Sequence, residues 1–230
     1  NINDVNSLKS RLSLWQNGNK FGWVFDNEND QFNFPKTIKS FGIDGTEFLD
    51  DKDVAAPISY YIFWRIKELI DGRRFALFID EVWQWIDDLI VASEVKNKLK
   101  TIRKENGLIV SATQSPEDYL RSPIAAAMIE QSATLIFLAN PKAKEEDYTK
   151  GFNLTMDEYE IIKNFDPTSR NFIIKKGREK TIATLDLSSL GKVNLKILST
   201  GKSDIETIET IFASNKSFSA KYNELRSKLG

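Results

Sequence analysis

Apolar residues recur along the chain in two rhythms, and the elements follow from them. From Pro57 to Ile70, the residues Ile58, Ile62, Ile66, Leu69 and Ile70 share one helical face, and Gly72 stands where a C-terminal cap is expected. Phe75 to Ile79 is apolar at every position, which predicts a parallel strand covered on both faces. A helical pattern runs from Val82 to about Lys104 and closes at Asn106-Gly107. A strand over Leu108 to Ala112, a helix from Pro116, another near Ile124 to Gln131 and a strand over Thr134 to Leu138 come next. Strands alternating with helices predict an α/β architecture built on a parallel sheet.

The flanks read differently. Asn6 to Trp15 predicts an amphipathic helix with Asn6 as N-cap and Leu8, Leu12 and Trp15 on one side. Gly22-Trp23-Val24-Phe25 predicts a short buried strand that runs into a polar turn, Asp26 to Asp30. Beyond Asn140-Pro141 the texture becomes mixed. Thr155 with Glu158 forms a capping box opening a helix, and Asn171 to Lys175 and Thr181 to Leu187 flank Gly177 as a β-hairpin. A strand is expected near Val193 to Leu198, then a helix capped at Ser203 and carrying Ile205, Ile208, Ile211 and Phe212, then a polar, frayed tail after Ser214.

Composition narrows the chemistry. With 41% hydrophobic and 28% charged residues over 230 positions, the chain can bury one sizeable core plus a small appendage. No apolar stretch approaches the roughly 20 residues that span a bilayer. Residue 1 is Asn and no targeting signal is visible, so an excised piece of a longer protein is expected. Cys is absent, which removes disulfides and thiolate zinc sites and fits a reducing compartment. His is absent too, so catalysis must rest on Asp, Glu, Lys, Arg and amides. The 32 basic and 33 acidic residues nearly cancel, leaving no overall positive field for nucleic acid, although a local basic stripe is compatible with that balance.

Three segments carry candidate chemistry. Phe75 to Ile79 delivers Asp80 and Glu81 to the carboxyl end of a strand, where ligands of open α/β sheets bind. This is the Walker B arrangement: Asp80 would hold Mg²⁺, mostly through water, and Glu81 would polarise the attacking water. A strand ending in a solvated acidic turn accounts for the same residues. The next strand delivers Gln114 to the same edge, the sensor position of RecA-like ATPases, where an amide can bond the γ-phosphate and the catalytic water. Ser115 and Pro116 are equally a plain helix start. Between the strands, Val95, Leu99 and Ile102 form a buried stripe that leaves Lys96, Lys100 and Arg103 on an exposed one, either an arginine finger or DNA-facing strip, or a solvated helix face.

Collinear with these are Arg11-Leu12 to Trp15, Gly22 to Asn27, Tyr60 to Ile66, Ile79-Asp80-Glu81-Val82-Trp83, Arg103 to Gly107, Ser111-Ala112-Thr113-Gln114-Ser115-Pro116, Ile136 to Pro141, Ser169 to Phe172 and Leu198-Ser199. In that order they resemble the large ATPase of VirB-type secretion and conjugation machines, the fourth VirB component. The resemblance implies a RecA-like P-loop NTPase core related to the HerA and FtsK translocases, with a mixed α+β C-terminal appendage. ATP is the implied substrate and Mg²⁺ the implied cofactor. A hexameric ring is implied too, with other type IV secretion ATPases and inner-membrane channel components as partners at the cytoplasmic face of a bacterial inner membrane. Asp80 and Glu81 match the Walker B acids, Gln114 the Gln motif, Arg103 the Arg of the Arg-Lys motif, and Asn140 an Asn without an assigned role.

Residues 1–200 are expected to be the downstream portion of the ATPase domain, with a hairpin appendage from about 150, and 201–230 a C-terminal helix and tail. The family's Gly-rich loop, ending in Gly-Lys-Thr, lies upstream of the point where this chain begins. Gly201-Lys202-Ser203 does not replace it, because a phosphate loop needs Gly at position 196, which is Lys196. The expectation is therefore a motor fragment that couples hydrolysis to channel assembly and transport of protein or DNA in the intact parent, and is inactive alone. Its alternatives are a DNA-pumping translocase and a non-catalytic docking module; a metal-dependent nuclease lacks the further acids it would need.

Overall fold

In the computed structural model, which describes residues 7–30, 32, 34, 37–198 and 202–229, contacts divide the chain into a first unit, Asn1–Ala133 with Lys144–Met156, and a second, Thr134–Ala143 with Asp157–Gly230. The first unit carries α1 (Leu8–Ser13), α2 (Gly22–Phe25), α3 (Thr46–Leu49), α4 (Ala55–Leu69), β1 (Phe75–Ile79), α5 (Val82–Trp85), α6 (Leu89–Thr101), β2 (Gly107–Ser111), α7 (Pro116–Arg121) and α8 (Ala125–Gln131). β1 and β2 pair in parallel, from Phe75 opposite Gly107 to Ile79 opposite Ser111. A parallel pair needs a crossover, and α5 with α6 supplies it. The core gathers Ile79, Val82, Ile86, Val95, Tyr119 and Met128, with Leu77, Leu99 and Ile109 packed against them. The expected parallel sheet with helices packed on it is present but limited to these two strands; the strand expected over Thr134 to Leu138 pairs antiparallel in a separate sheet.

Among the described residues, only one face of that sheet is covered. Leu77 and Ile109 turn inward, whereas Ala76, Phe78, Leu108 and Val110 are exposed, Phe78 by 72%. The expectation of burial on both faces fails because no described helix packs over this second row. The long helix expected from Val82 is also interrupted. Asp88 accepts hydrogen bonds from the backbone of Ile90 at 2.8 Å and Val91 at 3.3 Å, which makes it the cap of a new helix. At the far end a 3₁₀ turn, Ile102–Glu105, passes into Asn106 in the left-handed region at φ 58°.

Three further expectations in this unit are revised. Asn6 lies outside the described residues, and Ser7 caps α1 by accepting from Ser10 N at 3.2 Å. Gly22 to Phe25 is a helical turn, not a buried strand, and Trp23 is 63% exposed. Local bonds decide this: Asp26 accepts from Asn17 N at 2.6 Å, and the Asn27 amide donates to the carbonyls of Trp23 and Val24. α4 ends at Leu69 with Ile70 as its cap, so Gly72, at φ 92°, serves the turn into β1. Its carbonyl accepts from Asn106 Nδ2 at 2.8 Å.

The second unit holds β3 (Leu135–Leu138), α9 (Met156–Asn164), β4 (Asn171–Lys176), β5 (Glu179–Thr184), α10 (Gly191–Leu198), α11 (Lys202–Ala213) and α12 (Phe218–Leu229). The hairpin forms as expected, and β3 pairs antiparallel with β4 to give the order β3-β4-β5. A nearly buried ion pair, Lys175 Nζ to Glu158 Oε2 at 2.6 Å, ties α9 to β4. Val193 to Leu198 is helical, not extended: Val193 and Ile197, four apart, pack against Ile211 and Leu225. The helix expected from Ser203 is present as α11, whose span already includes Lys202. The tail is also ordered: α12 buries Leu225 completely.

Candidate active site

The carboxyl edge of β1 and β2 brings together three of the four predicted site residues. Asp80 follows β1 directly and is exposed, with Oδ1 accepting from the N–H of Glu81 at 3.1 Å. Glu81 caps α5 in a left-handed conformation, φ 43° and ψ 51°, which is uncommon for any residue with a side chain. Its neighbours hold it there. Ala112 N donates to Ile79 O at 2.9 Å and Val82 N to Ala112 O at 3.1 Å, so the backbone on either side of the two acids is stitched to the end of β2.

The Glu81 carboxylate then meets the neighbouring strand's exit. It accepts from the backbone N–H of Gln114 at 3.3 and 3.4 Å, from the Thr113 hydroxyl at 3.2 Å and from the Trp83 indole N–H at 2.8 Å. The Gln114 side chain is exposed beside it. Ser115 caps α7, with Pro116 in the first turn. The helix-start account of Ser115-Pro116 therefore holds at the same time as Gln114 stands at the sheet edge. Glu117, the next acid along, is tied to Lys144 and Arg121, and the Lys144 contact in particular holds its carboxyl below the usual range. Beneath the edge, burial pushes the Tyr119 hydroxyl up.

Arg103 is not in this group. It sits in the 3₁₀ turn that leads into β2, at the amino edge of the sheet, exposed beside Lys104 and one turn after Lys100. Strands of five residues separate the two edges by about 13 Å, so Arg103 cannot reach Glu81 of the same chain without unfolding its own strand. Lys98, paired with Glu105 at 2.5 Å, braces that turn. Asn140 belongs to the second unit, where its Oδ1 accepts from Lys142 N at 3.1 Å and its N–H donates to Ile162 O. Gly201 lies outside the described residues. Trp83 and Thr113 were not singled out by sequence; only the left-handed turn at Glu81 brings an indole two residues away back to its carboxylate.

Among the described residues no group of three or more His, Asp or Glu could enclose a metal ion. Asp80 offers one exposed carboxylate, which fits Mg²⁺, an ion that keeps most of its waters and takes one or two carboxylates beside phosphate oxygens. A groove of about 1650 Å³, bounded by residues 37–46, α4 and β1, runs up to Asp80, Glu81 and Gln84.

Residues 4–176 match the family described as TraG P-loop domain. The chain belongs to that family. The chain is 42% identical over 214 residues to the type IV secretion system protein virB4 of Brucella suis, covering 90% of this chain and 26% of that protein. It is 40% identical over 212 residues to the type IV secretion system protein PtlC of Bordetella pertussis, with the same coverage. The chain thus spans about a quarter of the length of these curated relatives. The solved structure of VirB4 from Thermoanaerobacter pseudethanolicus shares the fold, with a TM-score of 0.50 at 22% identity over 60% of this chain and 39% of the other. The resemblance to the fourth VirB component is borne out. So are the P-loop fold class and the link to type IV secretion. No described helix is long and apolar enough to cross a membrane.

Proposed function

We propose that this segment supplies the water-activating and phosphate-sensing side of an ATP-driven type IV secretion motor. The observation that carries the assignment is the convergence of the Glu81 carboxylate and the Gln114 backbone at one carboxyl edge of two parallel strands. Glu81 is the general base for the attacking water, and Asp80 the carboxylate through which Mg²⁺ would be held, adding positive charge against the phosphates. Gln114 is the amide that reads the γ-phosphate. Arg103, on the opposite edge, is the finger that reaches a nucleotide held by a neighbouring copy in a ring.

The relatives' names support secretion as the setting, and the proposed partners are further ring subunits, other secretion ATPases and inner-membrane channel proteins at the cytoplasmic face. The 230 residues contain no Gly-x-x-x-x-Gly-Lys-Ser/Thr sequence. By themselves they therefore lack the N–H cradle and the Lys that such a loop provides, and they hydrolyse no ATP. The test is Glu81→Gln in a full-length chain that carries a complete phosphate loop. ATP binding persists and turnover falls; turnover at a near-normal rate removes Glu81 from the mechanism.

A further inference from the structure

The bonds to Glu81 are unevenly shared between its two oxygens. Oε2 accepts the Trp83 indole N–H at 2.8 Å and the Thr113 hydroxyl at 3.2 Å, while the Gln114 N–H straddles both oxygens at 3.3 and 3.4 Å. Oε1 is left with one long bond and most of its accepting capacity. The Thr113 hydroxyl has a single proton and two acceptors at 3.2 Å, Glu81 Oε2 and the Ser115 carbonyl. An ionised carboxylate is the stronger acceptor, so the proton turns to Glu81. Thr113 is itself held, because its oxygen accepts from Ser115 N at 3.0 Å.

Resting on the assignment of Glu81 as base, we propose that Trp83 and Thr113 are positioning residues that pin Oε2 and present Oε1 to the attacking water. A glutamate side chain has several rotatable bonds, and a base left to explore them spends little time aligned with an in-line nucleophile. Two donors of different chemistry on one oxygen remove that freedom without neutralising the carboxylate. As the water oxygen bonds to the γ-phosphorus and the bond from phosphorus to the bridging oxygen breaks, the water's proton passes to Oε1, the oxygen that the anchors leave accessible. The left-handed turn at Glu81 has a role here, since it folds Trp83 back over the carboxylate it follows.

The test is steady-state ATP hydrolysis by the full-length chain with a complete phosphate loop, in Trp83→Phe, Thr113→Val and Thr113→Ser, each alone and combined with Glu81→Gln. Losing one bond to a charged acceptor is expected to lower kcat about tenfold. The KM for Mg-ATP stays unchanged, Thr113→Ser recovers the rate, and neither Trp83→Phe nor Thr113→Val lowers the residual rate of Glu81→Gln any further. Circular dichroism monitors folding; should Trp83→Phe lose structure, the comparison of Thr113→Val with Thr113→Ser decides alone. An unchanged or raised kcat in Thr113→Val, with Glu81→Gln inactive, overturns the positioning role and leaves Glu81 as base. An active Glu81→Gln overturns the base assignment, and the positioning role with it.

Discussion

Tyr61 and Asp30 form a hydrogen-bonded pair that fastens the loop around residue 30 to α4. The tyrosine hydroxyl donates to the carboxylate, and Arg65, from the same helix, adds hydrogen bonds to the carbonyl of Phe32 at 2.5 and 3.1 Å and a contact with Asp30 at 3.6 Å. Burial first, and the Asp30 bond second, push the Tyr61 hydroxyl up to about 12. The fold therefore favours protonated Tyr61. Its contribution is fully present below about 10, the ordinary tyrosine value, and is lost as pH rises through about 12. Ultraviolet titration of the six tyrosines is expected to show late ionisation from both Tyr61 and Tyr119, of which Tyr61→Phe removes one.

The same pair acts in the acid direction. The Tyr61 bond holds the Asp30 carboxyl below its ordinary value, so that stabilisation is present above the unfolded carboxylate value and disappears as pH falls through the lowered one. In Tyr61→Phe the loop's protection from proteolysis is expected to be weaker at neutral pH, and acidification is expected to cost it less. Equal acid sensitivity in both proteins counts against the pair.

Arg103 and Glu81 stand on opposite edges of one sheet, which makes a mixing experiment decisive. Fingers provided to another subunit's nucleotide contribute roughly 10³ to 10⁵ in rate. In full-length chains, Arg103→Ala and Glu81→Gln are each expected to be nearly inactive and to regain activity when co-assembled. The absence of recovery at every ratio, with assembly intact, argues against action between copies.

For the 230 residues alone, titration calorimetry with Mg-ATP is expected to show no micromolar binding, and phosphate release no turnover. Two adjacent carboxylates repel a polyanion unless a metal and a lysine offset them. Micromolar binding with turnover abolished by Asp80→Ala would point back to Gly201-Lys202-Ser203.

The ordered C-terminal helix makes its own prediction. Leu225 is fully buried against Val193 and Ile211, and Leu225→Ala is expected to cost about 2–5 kcal/mol in denaturant unfolding. Phe218 on the same helix is 72% exposed, so Phe218→Ala is expected to be nearly neutral.

What could be read from sequence follows physical lines. β1 and β2 were legible because an unbroken apolar run ending in acids, or in Thr113-Gln114, has few alternatives. α10 was not, because Val193, Leu195 and Ile197 satisfy a period of two while Val193 and Ile197 also satisfy a helical step, and only their contact with Leu225 chooses between them. Gly22 to Phe25 has strand-like side chains, yet four residues without a partner strand yield to the local bonds from Asn17 and Asn27. The carboxylates and Gln114 could be placed at the sheet edge from topology alone. Their second layer, Trp83 and Thr113, could not, since nothing about a glutamate announces a positive φ.

The row Ala76, Phe78, Leu108 and Val110 lies on the uncovered side of β1 and β2. In water such a surface is sticky: it invites dye, detergent or a like surface on another molecule. A single charge there, Phe78→Lys, removes the most exposed ring without touching the packed side of the strand, and is expected to raise the concentration at which the protein stays dispersed and to lower its fluorescence enhancement of anilinonaphthalene sulfonate.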